Sequence, residues 1–256
     1  MGEALAGGPA VSRSTYLGGQ VLLDQPVKGY RAGIDAALLA AALNLKPGAQ
    51  ACEFGCGAGA ALLSAARLYP EARFTAIEQD AAMAGLARAN IALNGLDAQI
   101  TLNEGDALAA GHREAFDAVF FNPPFFDDES ALRPPGDAKR GAWISEAPLA
   151  DWIAAGLKAL RSKGALTLIH RVDRLADILC ALTRGVGDMA VLPVHSHADR
   201  PAKRVIVRAV KGARGPFTLL APLVVHGGAA ERYTQEALEV LEGRTRIAMT
   251  AQGKAR

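Results

Sequence analysis

Cysteine and aromatic side chains are scarce in this chain, and long apolar runs are missing. There are three cysteines in 256 residues, and aromatics make up 5% of the total. Cys52 and Cys56 lie four residues apart, and no other His or Cys pair completes a zinc-ligand spacing. His195 and His197 stand two apart with no carboxylate cluster beside them, so no metal is expected. An odd number of thiols in apolar surroundings reads as buried, reduced cysteine and points to a cytoplasmic setting. No apolar stretch reaches the roughly 18 residues that a membrane-spanning helix needs. Residues 1–16 are small, polar and glycine-containing, without a basic start followed by an apolar block. They read as a disordered lead-in rather than a signal peptide.

What is present is a large apolar share and a lopsided distribution of charge. Half of the residues are hydrophobic, enough for one sizeable core. The net charge is +2, but residues 1–150 carry 11 basic and 17 acidic side chains, and residues 151–256 carry 17 basic and 9 acidic ones. A basic half set against an acidic one hints at a polyanionic partner.

Apolar runs and helical stripes alternate along the chain. Strands are expected at 21–26, 50–54, 73–77, 99–102, 117–121 and 165–169. Helices are expected at 36–43, 58–68, 80–93, 149–160 and 172–183, with Asp35 as the N-cap of the first. Two further runs, 189–194 and 204–210, have no helix between them. They must therefore pair antiparallel, because a parallel pair needs a crossover of a dozen or more residues. The pattern predicts an α/β architecture with a doubly wound sheet of seven strands, one of them reversed, flanked by helices. The domain is expected over 17–215, with short strands near 217–220 and 223–225 and a helix near 234–241 forming an appendage over 216–256.

The run Phe121-Asn122-Pro123-Pro124-Phe125-Phe126 ends the strand at 117–121. Proline has no N–H and a fixed φ, and it pushes the residue before it into an extended conformation. The result is a stiff turn that holds an amide, backbone carbonyls and a ring in place. The Asn122 side-chain oxygen and the Pro123 carbonyl can accept the two N–H bonds of a planar amine, and Phe125 can stack on the ring that carries it. A plain Asn-capped Pro-Pro strand terminator would look the same.

The first strand-to-helix turn reads Glu53-Phe54-Gly55-Cys56-Gly57-Ala58-Gly59-Ala60. Glycines at 55, 57 and 59 allow a tight turn and a close backbone approach to a ligand. Through Ala60 the run also satisfies the looser dinucleotide pattern, so the glycines alone leave nicotinamide and adenosylmethionine cofactors both open. The neighbouring acids separate them better. Glu53, two residues before the first glycine, can face the ammonium of an amino acid but would repel a pyrophosphate. Glu78 ends the next strand, 19 residues after Gly59, where a carboxylate can accept two ribose hydroxyls. Asp106 follows the third strand and can accept an adenine amino group. Taken singly, Glu78 and Asp106 read equally as strand-end or cap residues.

Together these runs resemble the class I S-adenosylmethionine-dependent methyltransferases, in the group whose fourth-strand turn is Asn-Pro-Pro-Phe/Tyr. Within it the chain is similar to the bacterial valine-tRNA adenine-N6 methyltransferases. That likeness is carried by Gly29-Tyr30-Arg31-Ala32-Gly33-Ile34-Asp35, Pro222-Leu223-Val224-Val225-His226 and Tyr233-Thr234, and it covers roughly residues 17–245. It implies a Rossmann-like fold, S-adenosyl-L-methionine as cofactor, and in-line methyl transfer to the exocyclic nitrogen of an adenine in RNA, with tRNA as the partner. Relatives with the same turn methylate guanine N2 in ribosomal RNA or a glutamine amide of release factors. A nucleotide-binding module without transferase activity is the remaining alternative, and it leaves Asn122-Pro123-Pro124-Phe125 unexplained. The resemblance puts Asn122, Pro123, Pro124 and Phe125 at the amine. It puts Glu53, Gly55, Gly57, Gly59, Glu78, Asp106 and Asn122 around the cofactor. Arg31 either meets the methionine carboxylate or stays solvated. Lys139, Arg140, Arg200, Lys203 and Arg204 are candidates for phosphate contact.

Overall fold

A computed structural model of the chain describes residues 10–29, 31–123, 148–228 and 231–250. The first element is a hairpin of β1 (Val11–Tyr16) and β2 (Val21–Pro26), paired antiparallel with Val11 opposite Pro26. The expected disordered lead-in over 1–16 therefore gives way to a strand from Val11 onward. β1 buries only part of one face, so it lacks the apolar run that marks its partner β2 in the sequence.

Helix α1 (Ile34–Ala41) follows, and then the alternating series. It runs β3 (Gln50–Phe54), α2 (Ala60–Leu68), β4 (Arg73–Glu78), α3 (Ala81–Leu93), β5 (Ile100–Glu104), β6 (Phe116–Phe121), α4 (Leu149–Ala159), β7 (Leu160–Arg171), α5 (Leu175–Ala181), β8 (Val186–His195) and β9 (Ala202–Lys211). The order across the sheet is β5-β4-β3-β6-β7-β9-β8, and all strands are parallel except β9. This is the expected seven-stranded sheet with one reversed strand. It is extended by two short strands, β10 (Thr218–Leu219) and β11 (Leu223–Val224), each pairing parallel with β8. The segment expected as an appendage thus continues the main sheet. It ends in α6 (Gln235–Leu241), which packs on α1, and the Ile247 amide donates to the Ala41 carbonyl at 2.9 Å.

The central strands bury both faces, which is why they read as continuous apolar runs. One side of the sheet packs against α1, α2 and α6 through residues such as Leu38, Leu62 and Phe120; the other packs against α4 and α5 through Phe121, Trp152 and Ile153. Asp35 does not cap α1. Gly33 occupies the N-cap position, and Asp35, in the first turn, accepts from Arg204 Nε at 3.0 Å. That pair fastens the start of β9 to α1. Only the tertiary fold brings residue 204 to residue 35.

Candidate active site

Because β3, β4, β5 and β6 are parallel, their carboxyl ends share one edge of the sheet. Every acid and glycine singled out above, together with Asn122, emerges there. Glu53 lies opposite Phe120 in the β3–β6 pairing, so the glycine turn and Asn122 leave neighbouring strands, about 4.8 Å apart. Asn122 is half-buried and Pro123 is buried. Pro124 and Phe125 lie outside the described residues, as do Lys139 and Arg140.

The glycine turn is tied to the end of β4. The Gly55 amide donates to the Ile77 carbonyl at 2.8 Å, and the Gly57 amide donates to Glu78 Oε2 at 2.7 Å. Glu78 Oε1 accepts from the Asp80 amide at 2.9 Å, so one carboxylate pins both the turn and the entry to α3. A carboxylate has about four lone-pair directions. These two bonds leave capacity for hydroxyl donors. Gly55, Gly57 and Gly59 all have positive φ: 66°, 55° and 92°. At Gly55 a Cβ would also meet the Trp152 ring at 3.0 Å. Gly55→Ala is therefore expected to destabilise the protein by about 2 kcal/mol, from the left-handed backbone and the ring contact together. Chemical denaturation measures it, and a loss below about 0.5 kcal/mol would refute the packing argument.

Glu53 is 3% exposed, and among the described residues its Oε2 has no hydrogen-bond partner. Burial, and then the Glu78 charge beside it, push its carboxyl well above the usual carboxylate range. A buried acid beside a glycine turn can serve as an electrostatic socket for a cation. Asp106 is exposed, and its Oδ1 accepts from the Leu108 amide at 2.8 Å, closing the turn after β5. Arg31 is held by the hairpin. Its guanidinium donates to Ser12 Oγ at 2.6 Å, Ser14 Oγ at 3.0 Å and the Pro26 carbonyl at 3.1 Å, tying the hairpin to the segment before α1.

Two contributors are not apparent from the sequence. Asn90 in α3 is fully buried. Its amide donates to the Asp24 and Ala58 carbonyls, both at 2.9 Å, and accepts from the Asp24 amide at 2.9 Å, locking the hairpin and the glycine turn to one helix. A polar residue in an Ala/Leu-rich helix was the available signal. Trp152 packs its ring on Gly55 and on Phe121, with ring centroids 5.7 Å apart. In sequence it is one apolar position of α4. Chemistry rather than hollowness makes this edge the candidate site. A cavity of about 760 Å³ opens at the opposite edge, beside Asn44, Asp117, Lys163 and Arg208, and none of the acids or glycines above lines it.

Comparison with known proteins agrees with this geometry. Residues 31–191 match the family model described as methyltransferase small domain. The chain is 32% identical over 235 residues to a tRNA1(Val) (adenine(37)-N6)-methyltransferase from Porphyromonas gingivalis, covering 86% of this chain and 90% of that protein. It is 37% identical over 90 residues to a ribosomal RNA small subunit methyltransferase C from Pseudomonas fluorescens, covering 35% of this chain and 26% of the other. Among solved structures, a predicted O-methyltransferase from Agrobacterium tumefaciens aligns with a TM-score of 0.70 at 27% identity, over 84% of this chain and 98% of that one.

Proposed function

The chain belongs to the methyltransferase small domain family and draws its methyl group from S-adenosylmethionine, and from that premise we propose that the acceptor is the N6 amino group of an adenine in tRNA. The observation that carries the reading is positional: Asn122-Pro123 ends the strand next to the glycine turn, on the same edge of the sheet. The particular adenine proposed is adenine 37 of tRNA1(Val), the target named for the Porphyromonas relative.

The residues present suit the cofactor. The unengaged oxygen of buried Glu53 fits the ammonium of its methionine part, Glu78 fits the ribose hydroxyls, and the glycine turn leaves room for close backbone approach. When bound, the sulfonium supplies an activated methyl group, so the work left to the protein is orientation. Asn122 Oδ1 and the Pro123 carbonyl accept from the two amino protons of the adenine. Pulling on both protons makes the nitrogen more tetrahedral and concentrates its lone pair. The interaction strengthens as positive charge grows on the nitrogen, which makes it differential stabilisation of the transition state. Phe125 is proposed to stack on the adenine, turned out of its loop. The methylated nitrogen is briefly an ammonium and acidic enough to lose its proton to water.

Guanine N2 of ribosomal RNA is a weaker reading, because the likeness to that relative spans about a third of the chain. Incubation with methyl-labelled cofactor and total RNA tests the choice. N6-methyladenosine is expected among the digested nucleosides; label in N2-methylguanosine, or only in protein glutamine, would overturn it.

A further inference from the structure

A group of rings far along the chain has no part in the chemistry above. The His226 and Tyr233 rings stack at 5.6 Å with 19° between planes, and His197 tilts against His226 at 5.3 Å. The Arg232 guanidinium lies 5.2 Å from the centre of the Tyr233 ring. The result is a column of four π-faced groups in the order His197, His226, Tyr233, Arg232. Its outermost members, His197 and Arg232, are exposed, while His226 and Tyr233 are half-buried.

Backbone hydrogen bonds hold the column in place. Beyond β11 the Val225 amide donates to the His195 carbonyl at 2.8 Å, and the His226 amide donates to the Ser196 carbonyl at 2.9 Å. His226 Nδ1 sits 2.7 Å from the Arg232 carbonyl, which can only accept, so Nδ1 carries the proton and the ring is fixed. The Thr234 amide returns to the Val225 carbonyl at 3.0 Å, and Thr234 then caps α6 through the Ala237 amide at 3.1 Å. His195 Nδ1 likewise donates to the Arg200 carbonyl at 2.7 Å, clipping the β8–β9 turn that carries His197.

The column stands on the same edge of the sheet as Asn122. β8 runs parallel to β6, so its carboxyl end lies on that edge, and β11 extends beside it. Between β6 and β11 lie β7, β9 and β8, a separation of about 19 Å at ordinary strand spacing. Two exposed cations flank the start of β9: Arg200 in the β8–β9 turn and Lys203 as the second residue of β9. Arg204, also a candidate for phosphate contact from sequence, has its Nε on Asp35.

We propose that this column is the docking platform for an unpaired base of the RNA substrate, one that flanks the adenine being methylated, with Arg200 and Lys203 on the adjoining phosphates. The inference rests on the RNA reading given above. Unpaired bases are held by stacking on aromatic rings and on guanidinium planes, and the exposed end residues, an imidazole and a guanidinium, are those two kinds of group. A purely structural column would gain little from ending in exposed groups.

Equilibrium binding of an end-labelled tRNA anticodon stem-loop, at several salt concentrations, tests it. His197→Ala combined with Arg232→Ala is expected to weaken binding by about tenfold or more, the scale of removing one stacked base. His197→Ala alone should leave the salt slope unchanged. Arg200→Ala with Lys203→Ala should reduce that slope by roughly 0.7 for each phosphate no longer neutralised. Adenosylhomocysteine affinity and melting temperature should match the wild type, showing intact folding. If the wild type methylates this RNA at adenine N6 while the variant with both His197→Ala and Arg232→Ala binds it as tightly, the platform is wrong and the RNA reading stands. If the wild type neither binds nor methylates RNA and labels protein glutamine instead, the RNA reading falls and the platform falls with it.

Discussion

Asn122→Ala should lower the rate of methyl transfer by about 10²- to 10³-fold, the usual effect of deleting one preorganised partner of developing charge. Adenosylhomocysteine should bind the variant nearly as tightly as it binds the wild type. The expected split follows from where the residue sits. Asn122 follows β6, whereas the glycine turn is held by Ile77, Glu78 and the helix behind it. Removing the side chain deletes one proposed acceptor for the amino protons and leaves the turn's own hydrogen bonds intact. Single-turnover rates and calorimetric titration give the two quantities separately. A variant that keeps more than about a tenth of the rate would show that the amide does not orient the nucleophile. One that loses cofactor affinity in parallel would place Asn122 in the cofactor site only.

The second large effect concerns Glu53 and has opposite signs in the free and the liganded protein. Its carboxyl is raised well above the ordinary value of 4.5 by burial and by Glu78. An acid whose folded pKa lies above its unfolded one costs nothing while both states are protonated. The cost grows as pH rises through 4.5 toward the raised value, because the unfolded chain ionises first. The free wild-type protein should therefore lose stability over that window, while Glu53→Gln should not. The variant should melt higher at about pH 8, with the difference closing toward about pH 4. Cofactor binding should move the other way. An ammonium beside Glu53 favours its ionised form, so binding at a pH between 4.5 and the raised value should release a proton to the buffer. That release appears as a calorimetric enthalpy that depends on the buffer's own ionisation heat. Glu53→Gln should abolish it and weaken binding by about tenfold or more, the worth of a charge-assisted hydrogen bond. Unchanged affinity, or proton release that persists in the variant, would sink the assignment of Glu53 to the ammonium.

The positions of these two residues at one edge of the sheet could be read from the sequence. Glu53 and Asn122 were legible because each sits at a fixed offset from a strand end, and both strands announced themselves as short apolar runs closed by glycine or proline. Parallel strands joined by helices must bring such ends to one edge, so the shared location followed from the alternation alone. The reversed strand followed as well, because the short gap between 194 and 204 rules out a crossover.

Arg31 and Asp35 mark the other side. Local context suggests a carboxylate for one and a helix cap for the other. In the structure the first donates to Ser12, Ser14 and Pro26, and the second accepts from Arg204. A guanidinium or a carboxylate binds whatever complementary group the fold delivers, and sequence spacing does not rank candidates 19 or 169 residues away. The same holds for Asn90, whose amide spans a hairpin and a glycine turn, and for Trp152 beneath Gly55. The amino-acid sequence by itself determined the strand order's raw material, the glycine turn after β3 and the Asn-Pro turn after β6, because backbone chemistry at glycine and proline is local. Only the tertiary structure decided which charged groups are occupied, where the 216–250 segment joins the sheet, and that His197, His226, Tyr233 and Arg232 form one column. Those contacts depend on how distant segments meet, and packing rather than propensity sets that.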